Sequence, residues 1–249
     1  MSEFLMPDLA LEPVTALLLI PGISAIVLAL LPGYKLTARL NVLAAGLTFL
    51  SSLWLLVARP ETGTYLLVDD LNIVFVVLGT FVGFTTSVFS ASYIGHELDI
   101  GRLTPANLRF YHAMYQALMF AMNLALLANN IGLMWVAVEL ATLTTVLMVG
   151  IYRTHEALEA AWKYFILSSV GIALALFGTI LVYMAAQPVM GAGQDAMVWT
   201  SLITKAAEFS PDLLNLAFIF LMLGYGTKVG LAPLHAWLPD AHAEGPTPI

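Results

Sequence analysis

Three ionisable residues lie inside stretches that are otherwise apolar enough to cross a bilayer. Glu139 sits near the centre of IGLMWVAVELATLTTVLMVGI, Lys163 lies inside ALEAAWKYFILSSVGIALALFG, and Lys228 lies inside LMLGYGTKVGLAPLHAWLPD. A charged side chain at a helix centre costs about 2.5–3.5 kcal/mol on insertion scales, so each must face protein or water. One reading is a static ion pair holding two helices in register, but such pairs add little net stability after desolvation. The other is a proton relay. Two charges about 4 Å apart interact by roughly 4 kcal/mol at an effective dielectric near 20. Moving a carboxylate away from a desolvated lysine therefore favours release of the lysine proton. Glu139 with two candidate lysine partners is the minimum set for that switch, and the relay is the preferred reading because intramembrane charges are functional by default.

The surroundings of Lys228 point the same way. Gly224, Gly226 and Gly230 flank it, and Pro233, Pro239, Pro246 and Pro248 follow. The helix must break there, and broken helices at membrane depth are tolerated where they line a cavity or water path. His235 and His242 lie on this broken stretch and are of a type that titrates near neutral pH; they either carry protons inward or bond backbone groups that the break exposes. His112 reads as an interfacial side chain. Thr142, Thr144, Thr145, Ser168 and Ser169 read first as hydroxyls satisfying helix backbone, with water-holding as the alternative. The spacings Gly226/Gly230 and Gly79/Gly83 read as close helix packing. No phosphate loop, nucleophile triad or metal-ligand cluster is legible, and no cofactor is expected.

The elements that position these residues follow from composition. Of 249 residues, 60% are hydrophobic and 10% charged, with mean hydropathy +0.90. A soluble domain of this length would need a polar surface that so few charges cannot cover, and the apolar blocks have helix length without strand alternation. The class is an all-α polytopic membrane protein. Seven spans are predicted, at roughly 13–31, 38–58, 71–94, 108–128, 131–151, 157–183 and 212–232. The acidic start MSEFLMPDLALEP lacks a basic region before its apolar run, which predicts a retained first span. Lys35, Arg39, Arg102, Arg109 and Arg153 cluster at the first, third and fifth connections, against Arg59 and Lys205 at the second and sixth. This bias predicts an N-terminus outside the cytoplasm. Residues 59–70 read as a small outer hairpin ending in Asp69 and Asp70, and 184–211 as a Gly/Pro-rich stretch followed by a short surface helix. Trp54, Trp135, Trp162, Trp199 and Trp237 all read as interfacial. Cysteine is absent, excluding disulfides and thiolate sites, and a net charge of -7 with no basic stripe makes nucleic acid an unsuited partner. The stop at HAEGPTPI, without a polar tail, reads as a truncation.

The stretches NNIGLMWVAVELATL, EAAWKYFILSSVGIALALFG and GTKVGLAPLHAWLPDAHAEGPTPI closely resemble the antiporter-like subunits shared by respiratory complex I, Mrp-type cation/proton antiporters and membrane-bound group 4 hydrogenases. The resemblance covers essentially the whole chain and corresponds to the first half of a 14-helix fold with a broken seventh helix. It implies a region 1–107 of three helices, and a region 108–249 forming the first part of a proton-translocating bundle. It implies that Glu139 and Lys228 are paired acid and base, that Lys163 is a further relay lysine, and that His235 and His242 lie on the broken helix. The expected setting is the inner (plasma) membrane. The expected partners are lipid, other membrane subunits, redox subunits of a quinone-linked complex, and the second half of the chain itself.

Overall fold

The computed structural model describes residues 12–249; the start MSEFLMPDLAL lies outside the described residues. Among the described residues nine α-helices form: α1 (Pro13–Leu30), α2 (Tyr34–Trp54), α3 (Asp70–Asp99), α4 (Pro105–Leu127), α5 (Ile131–Val149), α6 (His155–Met190), α7 (Trp199–Lys205), α8 (Pro211–Val229) and α9 (Leu238–Glu244). Seven of these have the length of a bilayer crossing, matching the seven predicted spans, and α6 runs further than expected, through Pro188. The sequence marks each start locally. Pro13, Pro105 and Pro211 occupy first turns, where a missing N–H costs nothing. Asp69 and Asn72 form a reciprocal capping box on α3, and Asn130 accepts from Gly132 N and Leu133 N to cap α5.

Large apolar side chains such as Ile26, Leu30, Val74, Val170 and Phe218 face outward, as a lipid solvent requires. Six of the seven long helices are apolar enough to cross a membrane by length and composition, and α4 is the exception. The reason is its position. It packs on α1, α2, α3 and α5, so it has little lipid to face. Its buried face carries Tyr111, His112, Gln116 and Asn123.

The connections α2–α3, α4–α5 and α6–α7 lie on one side of the bundle and are tied together by Asn129. Its Nδ2 donates to Gly63 O at 2.7 Å and Thr200 Oγ1 at 3.1 Å, and its Oδ1 accepts from Thr200 N at 3.2 Å. The expected hairpin at 59–70 closes only one bond on itself, Gly63 N to Leu66 O at 2.9 Å. Its β-prone residues pair with the α4–α5 connection, through Leu67 N to Leu127 O and Asn129 N to Tyr65 O, both 2.8 Å. The short surface helix is present as α7.

The glycines that allow close packing are not the expected ones. A Cβ at Gly79 would meet nothing, and Gly230 ends α8 in the left-handed region at φ 76°. The close contact is between α6 and α8, where a Cβ on Gly171 would lie 2.8 Å from Thr227 Cβ and one on Gly178 would lie 2.8 Å from Leu221 Cγ. Gly83 is tight only against the flexible Met119 side chain.

Candidate functional site

The site lies where α5, α6 and the end of α8 meet. Helix α8 stops at a Schellman motif: Leu231 N bonds to Gly226 O at 2.9 Å and Gly230 N to Thr227 O at 3.2 Å, with Gly230 left-handed between them. The chain then turns through 231–237 before α9 begins, so the predicted break is present and Lys228 sits in the last turn before it. Trp237 folds back from that turn. Its Nε1 donates to Thr227 O at 2.9 Å, satisfying a carbonyl at the open helix end.

Lys228 does not form a contact ion pair with Glu139. Instead, Lys228 Nζ donates to the hydroxyl of Tyr164 at 2.7 Å and lies 5.0 Å from the centre of its ring. The Tyr164 hydroxyl lies 2.7 Å from Thr145 Oγ1, and Thr145 Oγ1 donates to Ala141 O at 2.8 Å. Because the threonine proton goes to that carbonyl, the tyrosine donates to the threonine. A one-way chain thus runs from the ammonium through two hydroxyls to the backbone of α5. Glu139 Oε2 is buried and has no hydrogen-bond partner.

Lys163 is placed apart from this group. Its side chain is 47% exposed and its Nζ lies 2.8 Å from both Glu159 and Asp240, so it ties α6 to α9 and does not contact Glu139. The expectation of two alternative lysine partners for Glu139 therefore gives way to one lysine held by Tyr164 and one lysine with its own carboxylates. His235 and His242 are both exposed on the turn and on α9. Thr142 and Thr144 bond helix carbonyls, as read, while Thr145 also serves Tyr164, and Ser168 Oγ and Ser169 Oγ are buried without partners. Two tryptophans read as interfacial are packing residues: Trp237 is buried, and Trp135 Nε1 donates to Ile172 O at 2.8 Å. Among the described residues no group of three or more His, Asp or Glu side chains is placed to hold a metal ion.

Tyr164 does not stand out in the sequence, and Trp237 does so only as an expected interfacial ring. Tyr164 is 4% exposed, stacked on Trp237 with ring centres 4.4 Å apart and planes at 19°. The signal for it was present: Ala157, Ala160, Ala161, Ser168, Gly171, Ile172 and Ala175 recur at helical spacing as a small-residue stripe, and Tyr164 falls on it while Lys163 falls beside it. His112 was misread as interfacial. It is wholly buried between Tyr34 and Tyr111 with both ring nitrogens unpartnered, one turn from Gln116, whose Nε2 donates to Asn41 Oδ1 at 2.9 Å.

A multi-pass helical bundle with a broken seventh long helix, a lysine beside the break and a buried carboxylate on α5 defines a class of membrane subunit. Residues 128–249 match the family described as NADH:quinone oxidoreductase/Mrp antiporter, transmembrane. The chain is 60% identical over 234 residues to the hydrogenase-4 component F homolog of Methylacidiphilum infernorum, covering 94% of this chain and 49% of that protein. It superposes with TM-score 0.72 and 27% identity on a chain of respiratory complex I from Thermus thermophilus with bound aureothin, covering 93% of this chain and 48% of that one. A chain of the membrane-bound sulfane sulfur reductase, an archaeal respiratory membrane complex, shares the fold at TM-score 0.78 and 21% identity, covering 95% and 49%. The match to this antiporter-like family thus lies in the second half of the chain, and the chain spans about half the length of the relatives it matches.

Proposed function

We propose that this chain forms part of a proton half-channel in a redox-driven, quinone-linked membrane complex of the group 4 hydrogenase or NADH:quinone oxidoreductase type. The observation that carries the reading is the unpartnered, buried carboxylate oxygen of Glu139 on α5, the same helix to which Lys228, at the helix break, is tied through Tyr164 and Thr145. A structural ion pair would be closed; a base held on a hydroxyl chain and an acid left without a partner suit a cycle of pairing and separation. Lys163 is the further relay cation, poised between Glu159 and Asp240, and His235 and His242 extend the path from the break. In this reading residues 1–107 are a supporting region and 108–249 the translocating one. The N-terminus faces away from the cytoplasm, in the plasma membrane. Partners are other membrane subunits, the redox subunits, and the half of the relatives' length that this chain does not span. An Mrp-type cation/proton antiporter is the second reading, favoured by the shared family description, and neighbouring hydrogenase or Mrp genes separate the two.

The test is Glu139→Gln in the full-length protein within its complex. Proton translocation should fall sharply while electron transfer to an artificial acceptor and subunit abundance persist. Lys228→Ala should do the same, and the double variant should be no worse than either single one, because residues acting as a unit are not additive. Normal pumping by well-assembled Glu139→Gln complexes would overturn the assignment.

A further inference from the structure

The ammonium of Lys228 rests on a tyrosine, and that tyrosine is held by a tryptophan from beyond the helix break. We propose that Tyr164 is a positioning residue that, with Thr145, holds Lys228 apart from Glu139, and that Trp237 locks Tyr164 in this place. The inference rests on the relay reading above and adds to it the groups that hold the separated state.

Three observations converge on it. The first is the directed chain from Lys228 Nζ to Tyr164, from Tyr164 to Thr145 and from Thr145 to Ala141 O, with 2.7, 2.7 and 2.8 Å between heavy atoms. Both hydroxyl protons in it are committed, that of Tyr164 to Thr145 and that of Thr145 to carbonyls of α5, so the Tyr164 oxygen is free to accept from the lysine. The second is the ring itself. With its centre 5.0 Å from the ammonium and its hydroxyl bonded at 2.7 Å, it presents its hydroxyl edge and not its face to Lys228, so the contact depends on the hydroxyl. The third is the stack of Tyr164 on Trp237, combined with the bond from Trp237 Nε1 to Thr227 O. Thr227 is the immediate neighbour of Lys228. Trp237 therefore grips both the tyrosine and the helix turn that carries the lysine, and it comes from the irregular segment after Gly230. Displacement of that segment would release Tyr164 and Lys228 together. A tyrosine with only a packing role would need its ring and not its hydroxyl.

That difference sets the test. In membranes carrying the whole complex, Tyr164→Phe keeps the ring on Trp237 and removes the acceptor. Proton translocation should fall about tenfold, the scale of losing one hydrogen bond to a charged group, with abundance and electron transfer unchanged. Site-specific 3-fluorotyrosine at position 164 restores a hydroxyl and should restore translocation. Thr145→Val, similar in size, removes the next link and should act in the same direction; it carries the test if Tyr164→Phe does not assemble. Wild-type translocation in Tyr164→Phe, or a loss that 3-fluorotyrosine does not reverse, overturns the positioning role while leaving the relay intact, provided Lys228→Ala is still defective. If Lys228→Ala and Glu139→Gln both translocate normally, the relay reading itself has failed.

Discussion

Substituting Gly224 by alanine should disturb the site without touching any of its polar groups. A Cβ at Gly224 would lie 2.5 Å from Ala175 N, 2.6 Å from Ala175 Cβ and 2.6 Å from Gly171 O, whereas carbon contacts settle at about 3.5–4.0 Å. Two of the obstructing groups are backbone, so relief requires α8 to withdraw from α6 by about 1 Å, the shortfall from an ordinary contact. Lys228 lies one turn further along α8, and its 2.7 Å bond to Tyr164 on α6 would stretch past the roughly 3.2 Å limit of a sound hydrogen bond. Overpacking of this kind costs about 1–3 kcal/mol. The solubilised complex should melt earlier and translocation should drop. The control is Gly79→Ala, where a Cβ meets nothing, so the change should be neutral or slightly stabilising through the lower backbone freedom of alanine. If Gly224→Ala melts and translocates like Gly79→Ala, the tight α6–α8 crossing does not set the lysine's position.

Asn129→Ala removes three hydrogen bonds that join three connections, an upper limit of about 3 kcal/mol at roughly 1 kcal/mol each, less what water recovers at this edge of the bundle. The expected result is a lower melting temperature and faster proteolysis between residues 59 and 69, with the translocation rate per intact complex unchanged. Orientation is open to cysteine labelling, since the sequence contains no cysteine. Single cysteines at 35 or 102 should react only from the cytoplasmic side and one at 61 only from outside, and outside labelling at 35 or 102 would reverse the topology.

How much of this is legible in the sequence depends on whether the signal is local. Spans and charges are local: a bilayer demands about 20 apolar residues, so Glu139 and Lys228 stand out wherever they point. The break after Lys228 is local too, because Gly230 and Pro233 act on their own backbone. Partner choice is not. The β-prone residues 65–67 do form bridges, but nothing in 59–70 says that the acceptor is the α4–α5 connection rather than their own neighbours. Lys163 and Tyr164 are adjacent, and about 100° of helix rotation decides which one meets Lys228. Charge marks the lysine, while the small-residue stripe that turns Tyr164 inward carries no charge at all. His112 failed for a related reason: near a helix end, sequence position suggests an interface, and only the packing of α1, α2 and α3 around α4 takes it out of reach of water and lipid.

The encirclement of α4 bears on how the protein reaches its membrane. A segment carrying Asn107, Gln116, Asn123 and His112 partitions poorly into lipid on its own, because each unpaired polar group must give up water without a replacement. Helices α1, α2 and α3 emerge earlier during synthesis and have no such handicap. They bring Asn41 and Ser90, the partners of Gln116 and Tyr111 on α4, ready to receive a polar helix that would otherwise be rejected. The order of elements along the chain is therefore an assembly sequence, in which the least lipid-compatible helix arrives only after its polar berth has been built.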